Sequence, residues 1–244
     1  MRTRQIDARG SFSGQFSVLG RGSELLKLVE PAATFINAVV DDNGGKVRLT
    51  SAGVHGLTAA IVVAPGDVNI HVSAGDNWTP GFYPILAIDA DTTGVAITID
   101  LDYSLLLGSP TISLANTEVT MASVAVPPLE DNSMLRVDVT QSGTDTSATT
   151  KTVRVKLNTT IFYSTGLTTS PYNHRLVTIH NRNSTQRQVG GVSSSLSAFG
   201  GNTSNAPPTG TVDTSVETEI NITFIPAAAN IVMGLDRYFV ELFR

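Results

Sequence analysis

Apolar and polar residues alternate one for one in five segments of this chain: 68–72 (VNIHV), 95–101 (VAITIDL), 135–139 (LRVDV), 153–157 (VRVKL) and 216–224 (VETEINITF). A two-residue period puts Val, Ile and Leu on one face of a strand and polar side chains on the other. Half-buried antiparallel sheet is written this way. The same pattern, bounded by turn residues, predicts further strands at 57–63 and 84–88 in the first half. In the second half it predicts strands at 118–126, 134–140, 151–157, 175–181, 185–199, 215–225 and 237–243. Segment 23–31 (SELLKLVEP) is read as strand, because so short a run ending at Pro31 is marginal as a helix. Ile36, Ala38 and Val40 on one side of Asn43-Gly44, and Val47 and Leu49 on the other, predict a hairpin. Gly190-Gly191 inside a strand run predicts a bulge or a sharp bend.

Short, closely spaced strands in residues 23–117 suggest a small β-barrel or sandwich module. The longer strands of 118–244 fit a jelly-roll-type antiparallel sandwich. Residues 1–22 (MRTRQIDARGSFSGQFSVLGRG) read as an extended arm with one short β-like patch at 15–19. The expected fold class is therefore all-β, with arm, small module and sandwich in that order.

Composition adds a surface to this scaffold. Charged residues make up 15% of the 244-residue chain, and the polar strand faces are built instead from Thr, Ser, Asn and Gly. Hydroxyl-rich, charge-poor faces bury at low desolvation cost, which suits packing against copies of the same chain. The net charge of −5 is unevenly spread: +3 over residues 1–22, −7 over 23–117 and −1 over 118–244. A basic arm ahead of an acidic module forms a complementary pair, within one chain or between copies.

The search for chemistry returns little. With no cysteine there are no disulfides, thiolate metal sites or Cys nucleophiles. Arg2 and Arg4 are followed by polar residues and not by an apolar run, so no signal peptide is expected and synthesis is expected in a cytoplasm. No stretch approaches a membrane span. Five Asn-x-Ser/Thr triplets, beginning at Asn77, Asn158, Asn183, Asn202 and Asn221, are read as a by-product of Ser/Thr richness.

His55, His71, His174 and His180 lack zinc-ligand spacing, and no serine sits in a G-x-S-x-G elbow. The pairs Asp89/Asp91 and Asp100/Asp102 each share a strand face and would suit calcium, but turn capping is the simpler reading. No catalytic residue, metal or cofactor is assigned. The acidic balance and the lack of aromatics interleaved with Arg or Lys argue against a nucleic-acid partner.

Two stretches carry a resemblance. KVRLTSAGVHGLTAAIVV (46–63) followed by WTPGFYPILAID (78–89) is similar to a small β module of phage head and tail proteins. The second comprises VPPLEDNSMLRVDV (126–139), KTVRVKLNTTIFYS (151–164), LVTIHNRNSTQRQV (176–189), TVDTSVETEINITF (211–224) and RYFVELF (237–243). In that order these segments resemble the jelly-roll domain of tailed-bacteriophage virion structural proteins: decoration, fibre and tail proteins. The run KTVRVKLNTT lacks the glycine usual after that strand, and the arm matches nothing in the family.

The resemblance implies a virion location and assembly on a capsid or tail, commonly as a homotrimer, with the major capsid protein or other virion proteins as partners. It supplies no catalytic residues. The leading expectation is a capsid decoration or cement protein, anchored to the shell or a neighbouring copy by Arg2, Arg4, Arg9, Phe12 and Phe16. Phe239, Glu241 and Phe243 lie on the nominally exposed face of the last strand and are assigned to a subunit interface. The alternative is a tail fibre or baseplate protein that contacts a host glycan through Trp78, Tyr83 and Tyr172, with His174 nearby. A glycan-cleaving enzyme acting through the Asp pairs ranks third.

Overall fold

The computed structural model describes residues 2–4, 14–22, 26–41, 46–58, 62, 64–88, 94–98, 108–143, 150–167, 172–192 and 207–244. The chain is all-β, with eighteen strands and no helix among the described residues. The first nine are β1 (Arg2–Arg4), β2 (Gly14–Gly22), β3 (Leu26–Leu28), β4 (Phe35–Asp41), β5 (Lys46–Ser51), β6 (Asn69–Ala74), β7 (Gly81–Ile88), β8 (Gly94–Thr98) and β9 (Thr111–Ile112). The second nine are β10 (Val119–Val126), β11 (Met134–Gly143), β12 (Lys151–Leu157), β13 (Thr160–Leu167), β14 (Tyr172–Asn181), β15 (Gln188–Val192), β16 (Thr209–Gly210), β17 (Thr218–Pro226) and β18 (Met233–Phe243).

The C-terminal half is a jelly-roll-type antiparallel sandwich. One layer runs β16-β15-β14-β11-β18, and the other runs β10-β17-β12-β13. The nested pairs β11·β18 and β12·β17 join strands far apart in sequence, while β12·β13 and β14·β15 are local hairpins. The alternation read from sequence appears directly as burial. Leu135, Val137 and Val139 of β11 face Val153, Val155 and Leu157 of β12 and Ile220, Ile222 and Phe224 of β17 in one core.

A second core gathers Val47 and Leu49 of β5, Ile70 and Val72 of β6, Trp78, Tyr83 and Ile85, with Val232 reaching in from the far end of the chain. The predicted hairpin is present as β4·β5, with Val40 opposite Val47. Its turn, 42–45, lies outside the described residues.

The two regions meet at a narrow seam. β18 pairs with β3 over Met233–Leu235, and β3 touches β6 through one parallel bridge, Leu28↔Asn69. The Asn69 side-chain amide donates to the Lys27 carbonyl, and Lys27 pairs with Asp67 at 3.7 Å. Leu28 belongs to the first core and Val29 to the second. Glu30 follows, completely buried, and neither carboxylate oxygen makes a hydrogen bond.

Several expectations need correction. Among the described positions of 57–63, residues 57, 58 and 62 are not in a strand, whereas β13, missed from sequence, is a full member of the second layer. Gly190 and Gly191 mark no bulge. They pair in register with Ile179 and Thr178. The glycine at 190 is needed for close approach: a Cβ there would sit 2.7 Å from Pro208 Cγ and 3.0 Å from the Phe162 ring.

All six non-glycine residues with positive φ among the described residues are asparagines: 77, 116, 132, 158, 183 and 230. Three of them open Asn-x-Ser/Thr triplets, so those triplets mark turns that use asparagine's tolerance of the left-handed region.

Candidate functional site

The arm is doubled back and docked on its own chain. β1 pairs with the start of β2, and β2 adds antiparallel to β18, with Phe16 opposite Phe243 and Val18 opposite Glu241. The terminal strand is therefore flanked on both sides, by β11 and β2. Phe16 stacks on Phe243 with ring centroids 6.1 Å apart. Two side chains assigned from sequence to different surfaces, the anchor and the interface, thus meet within one chain. Arg2 and Arg4 lie in the paired backbone of β1. Arg9 and Phe12 lie outside the described residues.

The cross-strand register assembles a broad outer face on the β2-β18-β11-β14-β15 layer. One row holds Phe16, Phe243, Met134, His180 and Val189. The next holds Val18, Glu241, Arg136 and Thr178, and a third holds Arg21, Phe239, Asp138 and Leu176. Phe16, Phe239, Phe243, Met134 and Leu176 are half-buried, and Val18 is exposed.

Arg136, Glu241, Asp138 and Arg237 on this face are paired with one another, while Arg21 stands exposed beside them. Arg136 meets Glu241 at 3.4 Å. Asp138 accepts His174 Nε2 at 2.8 Å and lies 3.6 Å from Arg237. A cleft of about 850 Å³ opens where β18 exchanges β3 for β2, lined by Arg21, Asp138, Arg237 and Phe239 above Met121 and Leu235. Burial lowers the pKa of His180. An apolar sheet face whose charges are mostly paired with one another can be covered by another surface at small electrostatic cost.

Two of the three residues proposed for glycan contact are elsewhere. Trp78 is 5% exposed and Tyr83 is 9% exposed; they pack edge to face in the second core. The Trp78 indole donates to the Gly108 carbonyl at 2.6 Å, and the Tyr83 hydroxyl donates to the Thr79 carbonyl at 2.7 Å. Neither offers a free ring face for stacking on a sugar. Tyr172 is 60% exposed, next to Asn173, whose amide is buried against Gln141.

His55, His71 and Glu118 are each engaged locally. His55 is buried, with Nδ1 accepting from the Leu57 amide, and His71 Nδ1 bonds Ser113 Oγ at 2.8 Å. Burial lowers the pKa of His71. Glu118 lies between Lys156 (3.3 Å) and Arg154 (3.1 Å) and also accepts from the Thr223 hydroxyl. Burial works against its ionised form, but these partners outweigh burial and hold its pKa below the usual carboxylate value.

Among the described residues no group of three or more His, Asp or Glu could hold a metal ion. Asp89, Asp91, Asp100 and Asp102, considered for calcium, lie outside the described residues. No helix among them is long and apolar enough to cross a membrane.

No protein-family model and no curated protein matches the chain. Solved structures superpose weakly. An insecticidal delta-endotoxin, Cry8Ea1 from Bacillus thuringiensis, aligns over 96% of this chain and 57% of its own at 9% identity, with a TM-score of 0.28. Basic winged bean lectin with Tn-antigen aligns over 94% and 98% at 9% identity, with a TM-score of 0.27. Arcelin-5, a lectin-like defence protein from Phaseolus vulgaris, aligns over 95% and 99% at 11% identity, with a TM-score of 0.25. Superpositions at this level define no shared topology.

Proposed function

We propose that the chain is a bacteriophage virion structural protein, a capsid decoration or cement protein that binds the outer shell as a homo-oligomer and stabilises it. The observation that carries this reading is the outer face of the large sheet. There Phe16 from the arm joins Phe243, Met134, Phe239 and Leu176 in one half-exposed apolar surface on which most charges are paired with one another. The charge-poor, hydroxyl-rich polar faces and the resemblance of the strand segments support the same reading. Such a protein works by burying surface across seams between capsomers. Anything that binds the assembled shell and not the dissociated one stabilises it by mass action.

Copy number in purified particles, by gel densitometry, tests the location: hundreds of copies are expected for cement, and single or low double digits would move the chain to the tail. The anchor is tested by removing residues 1–13, which leaves β2 in place. Loss of particle binding with an unchanged melting temperature is expected, and undiminished binding would overturn the anchoring role. The interface is tested by Phe239→Ser with Phe243→Ser and mass measurement in solution, where an unchanged oligomer would remove this face from self-association.

A further inference from the structure

A second cleft, about 710 Å³, lies at the end of the sandwich opposite the β3–β18 joint, between the β14–β15 turn, β16 and the start of β13. Its two charged lining residues are Arg182 and Arg187. They close the β14–β15 turn: the Arg182 amide donates to the Arg187 carbonyl at 2.8 Å, one step beyond the Asn181↔Gln188 pair. Residues directly opposite on an antiparallel ladder send their side chains to the same face, with Cβ atoms roughly 5 Å apart.

Both arginines are exposed, and this closing pair places their Cβ atoms on the same side of the turn. Neither has an ion-pair or side-chain hydrogen-bond partner among the described residues. Like charges directly opposite each other destabilise a ladder. No carboxylate among the described residues lines the cleft to offset them, although acidic residues outnumber basic ones by 21 to 16 along the chain. Asp213, on a neighbouring loop, is taken up by Ser215.

The frame beneath the arginines is fixed. Gln188 is buried and uses its whole amide: Nε2 donates to Asn181 Oδ1, the Thr185 carbonyl and the Val212 carbonyl, and Oε1 accepts from the Val212 amide. Thr214 Oγ1 donates to the Thr185 carbonyl at 2.7 Å. Gly210 lets β16 close on β13, since a Cβ there would lie 2.7 Å from the Phe162 ring. The rest of the wall is mainly polar, with Thr160, Thr209, Thr211 and Asn183.

We propose that this cleft binds a carboxylate-bearing sugar, a uronic acid residue. The paired guanidiniums take the carboxylate, and the threonine hydroxyls and the Asn183 amide take ring hydroxyls. Paired arginines supply the charge-assisted bonds that planar carboxylates accept. The volume suits a sugar-sized ligand and is larger than a lone phosphate needs. Among the described residues no aromatic side chain lines the cleft, so these offer no platform for stacked bases. The site stands on this geometry alone and holds wherever on a particle the chain is placed.

The test is titration of the full chain with sodium glucuronate, followed by isothermal calorimetry or amide chemical shifts, with glucose and sodium phosphate as comparison ligands. A dissociation constant on the order of millimolar is expected for one sugar residue. Arg182→Gln or Arg187→Gln should weaken it about tenfold or more, and the double variant should abolish it. The double variant should also melt at or above the wild-type temperature, since a like-charge pair has been removed. That outcome separates loss of the site from loss of the fold. Undiminished binding by the double variant, phosphate binding as tight as glucuronate, glucose binding as tight as glucuronate, or no glucuronate binding well above millimolar concentration would each overturn the proposal.

Discussion

Replacing Glu30 by Gln should stabilise the protein at neutral pH and remove a pH dependence that this one carboxyl imposes. Glu30 sits at the seam between the two cores, fully buried, with no hydrogen bond to either carboxylate oxygen. Burial raises its pKa from 4.5 to about 8, and the nearby Thr117 amide only partly opposes the rise. Between those two values the unfolded chain has released the proton that the folded chain still holds. The contribution of Glu30 is therefore fully present below pH 4.5 and is lost as pH rises towards 8.

At about 1.36 kcal/mol per pKa unit, the loss reaches about 3 kcal/mol at pH 7 and about 5 kcal/mol above pH 8. Glutamine keeps the shape of the protonated acid and does not titrate. The difference in stability between Glu30→Gln and wild type should thus be near zero at pH 4.5. At pH 7 it should reach about 3 kcal/mol, or roughly 6–12 °C in melting temperature for a chain of this size. Urea unfolding of both proteins at half-unit steps from pH 4.5 to 8.5 measures it, because every other titrating group cancels in the difference. A flat difference across that range, or a variant less stable than wild type at pH 7, would mean that Glu30 is ionised and paired in the folded state, and the reasoning would fail.

Other outcomes follow from local geometry. Gly210→Ala should cost about 1–3 kcal/mol by overpacking against the Phe162 ring, while Gly53→Ala, with nothing within 4 Å of the new methyl, should be near neutral; chemical denaturation of the two variants compares them. Glu118, whose pKa is held down by its hydroxyl and cationic partners, contributes stability that is present above its unfolded pKa and lost as pH falls through its folded one. Acid unfolding of Glu118→Gln should accordingly be shallower than that of wild type below about pH 4.5. The single tryptophan, Trp78, is buried, so its emission should be blue-shifted, poorly quenched by acrylamide and unmoved by added neutral sugars.

The backbone plan was legible wherever one face of a strand is buried and the other is not. The alternation at 135–139, 153–157 and 216–224 became β11, β12 and most of β17 because each strand separates the core from solvent or from a polar neighbour. β13 escaped because Ile161, Phe162 and Tyr163 stand together: two adjacent positions are buried and Ile161 is exposed, which breaks the two-residue period. Trp78 and Tyr83 read as sugar platforms because composition cannot say whether an aromatic beside Pro80-Gly81 faces inward. Nothing in the local pattern around Glu30 encodes its burial, which comes from the seam. Arg182 and Arg187 were visible only as two charges in a polar stretch. What joins them is the turn register, and that depends on Gln188 being buried beneath them.

Where a partner can bind follows from how the sandwich is closed at its sides. On one side β2 lies along β18 and turns Leu19 into the core, and its Gly20 comes so near β10 that a Cβ would sit 2.7 Å from Val124. On the other side β15 and β16 close over Phe162 of β13 through Gly190 and Gly210. At this side the sheet path ends at β16 in a strand of two residues, too short to template a further strand, while its far end is the seven-residue β4. Two surfaces of the sandwich then differ in charge: the broad outer face, where Arg136 pairs with Glu241 and Asp138 with Arg237, and the end loops, where Arg182 and Arg187 leave charge unmatched. The first surface suits a protein neighbour and the second a small anion, and Phe239→Ser with Phe243→Ser should impair the former while leaving glucuronate binding intact.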